Sequence, residues 1–70
     1  MGKTAEQIIE IAKKVDDSIE FSIEAAEAMS VIPGPFVKMA IKKTIKRAHE
    51  EGVTVVDMAF SDKIRDENFG

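Results

Sequence analysis

Five groups in this sequence are of types that do chemistry. They are His49, the acid pairs Asp16-Asp17 and Glu50-Glu51, the Pro33-Gly34-Pro35 step, and the basic run from Lys38 to Arg47. A histidine works as a general base only when an acid orients it and a nucleophile lies within hydrogen-bond reach. His49 is the only histidine and falls on the polar side of a predicted helix, near Lys42 and Lys46. Glu50 and Glu51 adjoin it in sequence but do not share its face, since helix neighbours are three and four residues apart. It therefore reads as a solvated surface residue. Neither acid pair has the alternating oxygens and central glycine of a calcium loop. With no cysteine and no second histidine, the ligand set of a dedicated metal site is missing. Pro33-Gly34-Pro35 precedes a helix as a phosphate loop would, but its two prolines remove the N–H donors that cradle phosphate. No catalytic, metal or cofactor-binding residue is assigned.

The basic run is the most distinctive polar feature. Lys38, Lys42 and Lys46 are spaced by four and stack along one ridge, Lys43 and Arg47 flank it, and Met39 points out between the lysines. Such a run is either a solvated face opposite an apolar one or a docking surface for an acidic partner. Its side chains Lys38, Met39, Lys42, Lys43, Lys46 and Arg47 are the candidate partner-binding residues. No aromatics interleave the lysines, which argues against single-stranded nucleic acid. The net charge of −3 argues against nucleic acid in general.

These residues are positioned by four predicted helices. Thr4 and Gln7 have capping-box spacing, and Ile8, Ile11, Ala12, Val15 and Ile19 line one face behind them, with Ile9 off the stripe. Asp16-Asp17-Ser18 is poor helix-interior material and ends or bends this segment. Ser22 caps a short second helix with Ala25, Ala28, Met29 and Ile32 as its stripe and Phe21 as an apolar anchor before the cap. The Pro-Gly-Pro step ends it. Pro35 suits the first position of a third helix, in which Phe36, Val37, Ala40, Ile41, Thr44, Ile45 and Ala48 cover about half the circumference. Gly52 is its stop. Residues 53–56 are β-branched and open to either state. A lone strand has no evident partner, so a fourth helix capped by Thr54, with Val56, Ala59, Phe60 and Ile64 on one face, is the expectation. Asp66–Gly70 is expected to fray. No internal repeat is evident.

Seventy residues make one domain, spanning 1–70, near the lower limit at which core burial outweighs ordering entropy. Without cysteines no disulfide can reinforce it, which fits a reducing cytosol. There is no apolar run of membrane-spanning length, no apolar signal core after Met1, and Glu6 stands where a myristoylation signal would have Ser or Thr. A cytoplasmic protein is expected. Charge is uneven: residues 1–35 carry three lysines against seven acids, residues 36–70 seven basic residues against six.

One resemblance narrows the context. Phe21-Ser22-Ile23-Glu24-Ala25 is followed by Ile32-Pro33-Gly34-Pro35-Phe36-Val37-Lys38, then by a basic helix closing in Ala48-His49-Glu50-Glu51-Gly52, then by Val53-Thr54. This order resembles the small helical C-terminal domain of the light-independent protochlorophyllide reductase B subunit, which also occurs as short stand-alone proteins. The resemblance covers residues 21–65. It departs at Phe21, where the family usually has Trp, at Lys38, where it has Arg, and at Gly34, which looks like an insertion. Lys and Arg are not equivalent where bidentate contacts matter. The resemblance implies a helical accessory domain tied to nitrogenase-like redox enzymes. That enzyme's iron–sulfur ligands have no counterpart in a chain without cysteine.

The sequence therefore predicts an all-α domain of four short helices in a small orthogonal bundle, with the third helix central. The expected function is a non-catalytic accessory or interaction domain, not an enzyme by itself, that meets a protein partner with an acidic surface. The alternative is a DNA-associated module with a histone-like half-fold, suggested by a central helix followed by a Val-Thr step and a short helix. Self-association is left open.

Overall fold

The computed structural model describes residues 3–69. Its elements are α1 (Ala5–Val15), β1 (Glu20–Phe21), α2 (Ile23–Met29), α3 (Gly34–Glu51), β2 (Val55–Val56) and α4 (Met58–Phe69). The domain is all-α in class, with four helices among the described residues and a single two-stranded bridge.

Each boundary has a local cause. The Thr4 hydroxyl accepts from the Gln7 N–H while the Gln7 amide accepts from the Thr4 N–H, completing the capping box of α1. α1 stops at Val15, short of Ile19, because Asp16 turns extended and its carboxylate accepts from the Ser18 N–H. Ser22 caps α2 by accepting from the Ala25 N–H. α3 begins one residue earlier than expected: Pro33 is its N-cap and Gly34 its first residue, which puts Pro35 at the second position. At its other end Gly52 takes the left-handed conformation with φ 70°. The Gly52 N–H donates to His49 O and the Val53 N–H to Ala48 O, the paired bonds of a Schellman cap.

That cap redirects the chain into an extended segment, so the helical expectation for residues 53–56 is corrected. Val55–Val56 is a strand, and it does have a partner: it pairs in parallel with Glu20–Phe21, Glu20 opposite Val55 and Phe21 opposite Val56. Flanking bonds run from the Glu20 N–H to Thr54 O and from the Ser22 N–H to Val56 O. The cap of α4 is accordingly Asp57, whose carboxylate accepts from the Phe60 N–H, and not Thr54. α4 continues through residues 66–69, where fraying was expected; Gly70 lies outside the described residues.

The pairing also exposes an internal repeat that the sequence conceals. The chain is helix–strand–helix twice over. Strand partners, the caps Ser22 and Asp57, and the helix starts Ile23 and Met58 are each 35 residues apart. The buried pairs Ile8 with Thr44 and Ala12 with Ala48 follow at a spacing of 36, because the first half has one more residue between helix and strand. Substitution of most side chains hides this from a residue-by-residue comparison.

The helices close a ring in which α1 packs on α2 and α3, and α4 on α2 and α3. Ile8, Val37, Ile41 and Val56 are the largest fully buried side chains and mark the centre of the core. Burial of such side chains contributes roughly 1.5–3 kcal/mol each before conformational entropy is set against it. The α3 face is as expected from Val37 to Ala48, but Phe36 at its start is exposed, contrary to its place in the expected apolar arc. Ile9 is half-buried against the core.

Candidate docking site

α3 carries the candidate side chains, and its register decides what each can meet. At 100° per residue, the buried Val37, Ala40, Ile41, Thr44, Ile45 and Ala48 fix the inward face. Lys38 and Lys42 then lie on the side of His49, which bonds Asp16 at the end of α1, while Phe36, Met39, Lys43 and Lys46 line the side facing α4. Met39 stands between them, about half exposed, with Lys42 and Lys43 as its helical neighbours. The structure thus divides the six expected partner-binding residues between two flanks of one helix.

Arg47 belongs to a different arrangement. Its guanidinium donates to Glu51 at 2.5 Å and to Glu67 of α4 at 3.1 Å, and Glu51 also accepts from Lys63 at 2.9 Å. This cluster ties the end of α3 to α4. The hydrogen bond to Glu51 holds the Arg47 pKa above its ordinary value, and the same bond, with that from Lys63, holds the Glu51 carboxyl below its own. Arg47 is therefore engaged within the chain. Among the described residues, Lys38, Lys42, Lys43 and Lys46 make no salt bridge.

His49 is not the unpartnered residue that its sequence neighbours suggest. Its Nε2 donates to Asp16 Oδ2 at 2.5 Å, across 33 residues of chain. The Ser18 hydroxyl donates to the other oxygen of the same carboxylate at 2.6 Å. Serine, aspartate and histidine thus meet, but in an order that does no acyl chemistry. In a nucleophilic triad the imidazole lies between hydroxyl and carboxylate and takes the hydroxyl proton. Here the carboxylate is in the middle, so the hydroxyl is bonded to a weak base and the imidazole does not reach it. Asp16 instead fastens the end of α1 to the end of α3. Hydrogen bonds from Ser18 first, and from His49 second, lower its pKa to about 2.

Beside the α4 flank lies a groove that the sequence did not announce. It has a volume of about 340 Å³. Met29, Ala40 and Ile64 form its floor, Val31, Phe36 and Met39 its rim, and Lys43 and Arg65 stand at its mouth. The groove exists because the two halves of the repeat pack differently. α1 lies closely along α2, whereas α4 rests on α2 and touches α3 at fewer points. Of residues 58–67 only Ile64 is buried. The signals available in sequence were Phe36 and Met39, which frame Lys38 and Lys43, but their opening depends on where α4 comes to rest.

Compared with known proteins, the chain matches no family model, no curated protein and no solved structure. The site must be read from its own chemistry. Among the described residues there is no group of three or more His, Asp or Glu side chains placed to hold a metal ion. No helix among the described residues is long and apolar enough to cross a membrane. Thr44 is the one buried polar side chain among the described residues, and its hydroxyl donates to Ala40 O at 2.8 Å. What remains is a row of unpaired lysines beside exposed apolar side chains, an arrangement suited to binding.

Proposed function

We propose that this chain is a non-catalytic interaction domain that docks an acidic protein surface on α3. The observation that carries the reading is the contrast within the basic run. Arg47 is neutralised by Glu51 and Glu67, while Lys38, Lys42, Lys43 and Lys46 are left without an ion pair around the exposed Met39. In a chain of net charge −3, a local cluster of unpaired cations is a directional feature that steers an acidic partner to one face. The order of motifs from Phe21 to Val53 supports an accessory role beside a protochlorophyllide-reductase-like redox assembly, in the cytoplasm, with chemistry supplied by the larger partner.

The test is comparative capture with the whole chain. Lys42→Glu with Lys46→Glu reverses the exposed ridge without touching the core. A partner retained by the parent should be lost by the double variant and released by salt, since exposed charge pairs are screened beyond roughly 10 Å at 0.1 M. Equal retention by both chains, at low and high salt, refutes the proposal.

A further inference from the structure

The lysines attract an acidic partner but say little of its shape, and the groove beside them says more. Lys43 and Ile64 belong both to the apolar groove and to a second, polar cleft lined by Lys46, Arg47, Glu50 and Glu67. The two form one trough along the α3–α4 seam. From Phe36 to Glu50 it follows α3 for 14 residues, roughly 21 Å at 1.5 Å per residue. It is apolar at the α2–α3 turn and charged at the other end.

We infer that this trough takes an amphipathic α-helix from an acidic partner, its apolar side chains entering the groove and its carboxylates meeting Lys43 and Lys46. The inference rests on the docking reading above and deepens it by naming the partner's form. Volume and exposure carry the argument together. The groove is near the lower end of ligand-sized sites, roughly 300–1,000 Å³, and has room for a few apolar side chains. Yet Val31, Phe36 and Met39 are 78%, 54% and 48% exposed on its rim. A small amphiphile seated on the floor leaves that rim wet. A helix laid over the trough sends anchors at i, i+3 and i+7 into the floor and covers the rim with its flanks. Charge selects among helices. In the cleft Arg47 and Glu67 pair with each other, and Lys43 and Lys46, in no salt bridge among the described residues, outnumber the remaining Glu50, so glutamates beside the apolar face are favoured over lysines. The same argument removes a second copy of this chain, because two-fold packing of the groove on itself sets Lys43 and Arg65 against their own duplicates.

The experiment uses the full chain labelled with ¹⁵N, followed by amide shifts. One probe is a 16-residue synthetic helix with leucines at i, i+3, i+7 and i+11 and glutamates on both flanks. Its controls are the same helix with lysine flanks, a sequence-scrambled acidic peptide, and phosphatidylcholine vesicles with and without phosphatidylglycerol. The acidic helix should shift amides of residues 31–43 and 61–65 in saturable fashion, with the controls at least tenfold weaker. Phe36→Ser with Met39→Ser, both at exposed positions, and separately Lys43→Glu, should each weaken it at least tenfold. Shifts confined to Lys38 and Lys42 overturn the helix-in-groove inference while leaving ridge docking in place. Groove binding unaffected by Lys38→Glu with Lys42→Glu supports this inference and counts against the ridge. Equal binding of the lysine-flanked or scrambled peptide, saturation by anionic vesicles instead of peptide, or no shift with any probe overturns it.

Discussion

Gly52→Ala is the sharpest test of how this chain reverses from α3 into β2. Gly52 holds φ 70°, the one left-handed residue among those described, and a Cβ added there meets nothing within 4 Å. The cost of the substitution is therefore conformational and not steric. An L-residue in the left-handed region costs about 1–2 kcal/mol. Against this, alanine narrows the unfolded ensemble and returns about 0.4–1 kcal/mol. The net is a loss of about 1 kcal/mol, which for a domain of this size lowers the thermal midpoint by roughly 4–8 °C. Gly52→Asn should recover at least half of that, because asparagine enters the left-handed region more readily. Thermal unfolding followed by circular dichroism at 222 nm gives both values. If the alanine variant melts within about 1 °C of the parent, the left-handed cap does not set the reversal, and the positioning of β2, α4 and the groove argued from it fails.

Other outcomes follow from the same geometry. Ile41 is 0% exposed, so Ile41→Ala should cost about 2–5 kcal/mol. That is a large part of the roughly 4–10 kcal/mol expected of a domain this small, and urea titration should find the variant partly unfolded without denaturant. Ser22→Ala and Asp57→Ala remove equivalent caps from the two halves and should each lose about 1 kcal/mol in the same assay; a tenfold difference between them contradicts the equivalence. Asp16 has a pKa depressed from 3.8 to about 2, so its stabilising effect is complete above about pH 4 and is lost as the pH falls through about 2. The difference in urea midpoint between the parent and Asp16→Asn should accordingly shrink from pH 5 to pH 2, and a constant difference refutes the linkage. In an electrophoretic shift assay at low salt, duplex DNA should not be retarded by this acidic chain; retardation that weakens steeply with salt would revive the histone-like alternative.

Features that depend on near neighbours in the chain were legible before the fold was known. The Thr4–Gln7 box, the Ser22 cap, the Gly52 stop and the buried face of α3 from Val37 to Ala48 all follow from residues three or four positions apart. The exposure of Met39 followed too, from its place opposite that face. What escaped were contacts made across the chain. Val55–Val56 becomes a strand only because Glu20–Phe21 lies alongside, and His49 finds its acid 33 residues away. Phe36 continues the apolar period of α3 but sits at the edge of its buried arc, so periodicity counted it as core while the packing leaves it exposed. The candidate site was half legible for the same reason. Its lysines are a local pattern, whereas the groove beside them is set by the resting place of α4.

The parallel bridge has a kinetic consequence. Joining Glu20–Phe21 to Val55–Val56 closes a loop of about 35 residues, an entropic cost near 3 kcal/mol from chain length alone. Two residues of ladder cannot offset that by themselves. The bridge therefore forms together with the helix contacts of similar separation, α1 on α3 and α2 on α4, and not ahead of them. Substitutions at Phe21 or Val56 should then raise the unfolding rate while leaving the folding rate nearly unchanged. The smallest element of the fold acts as its latch.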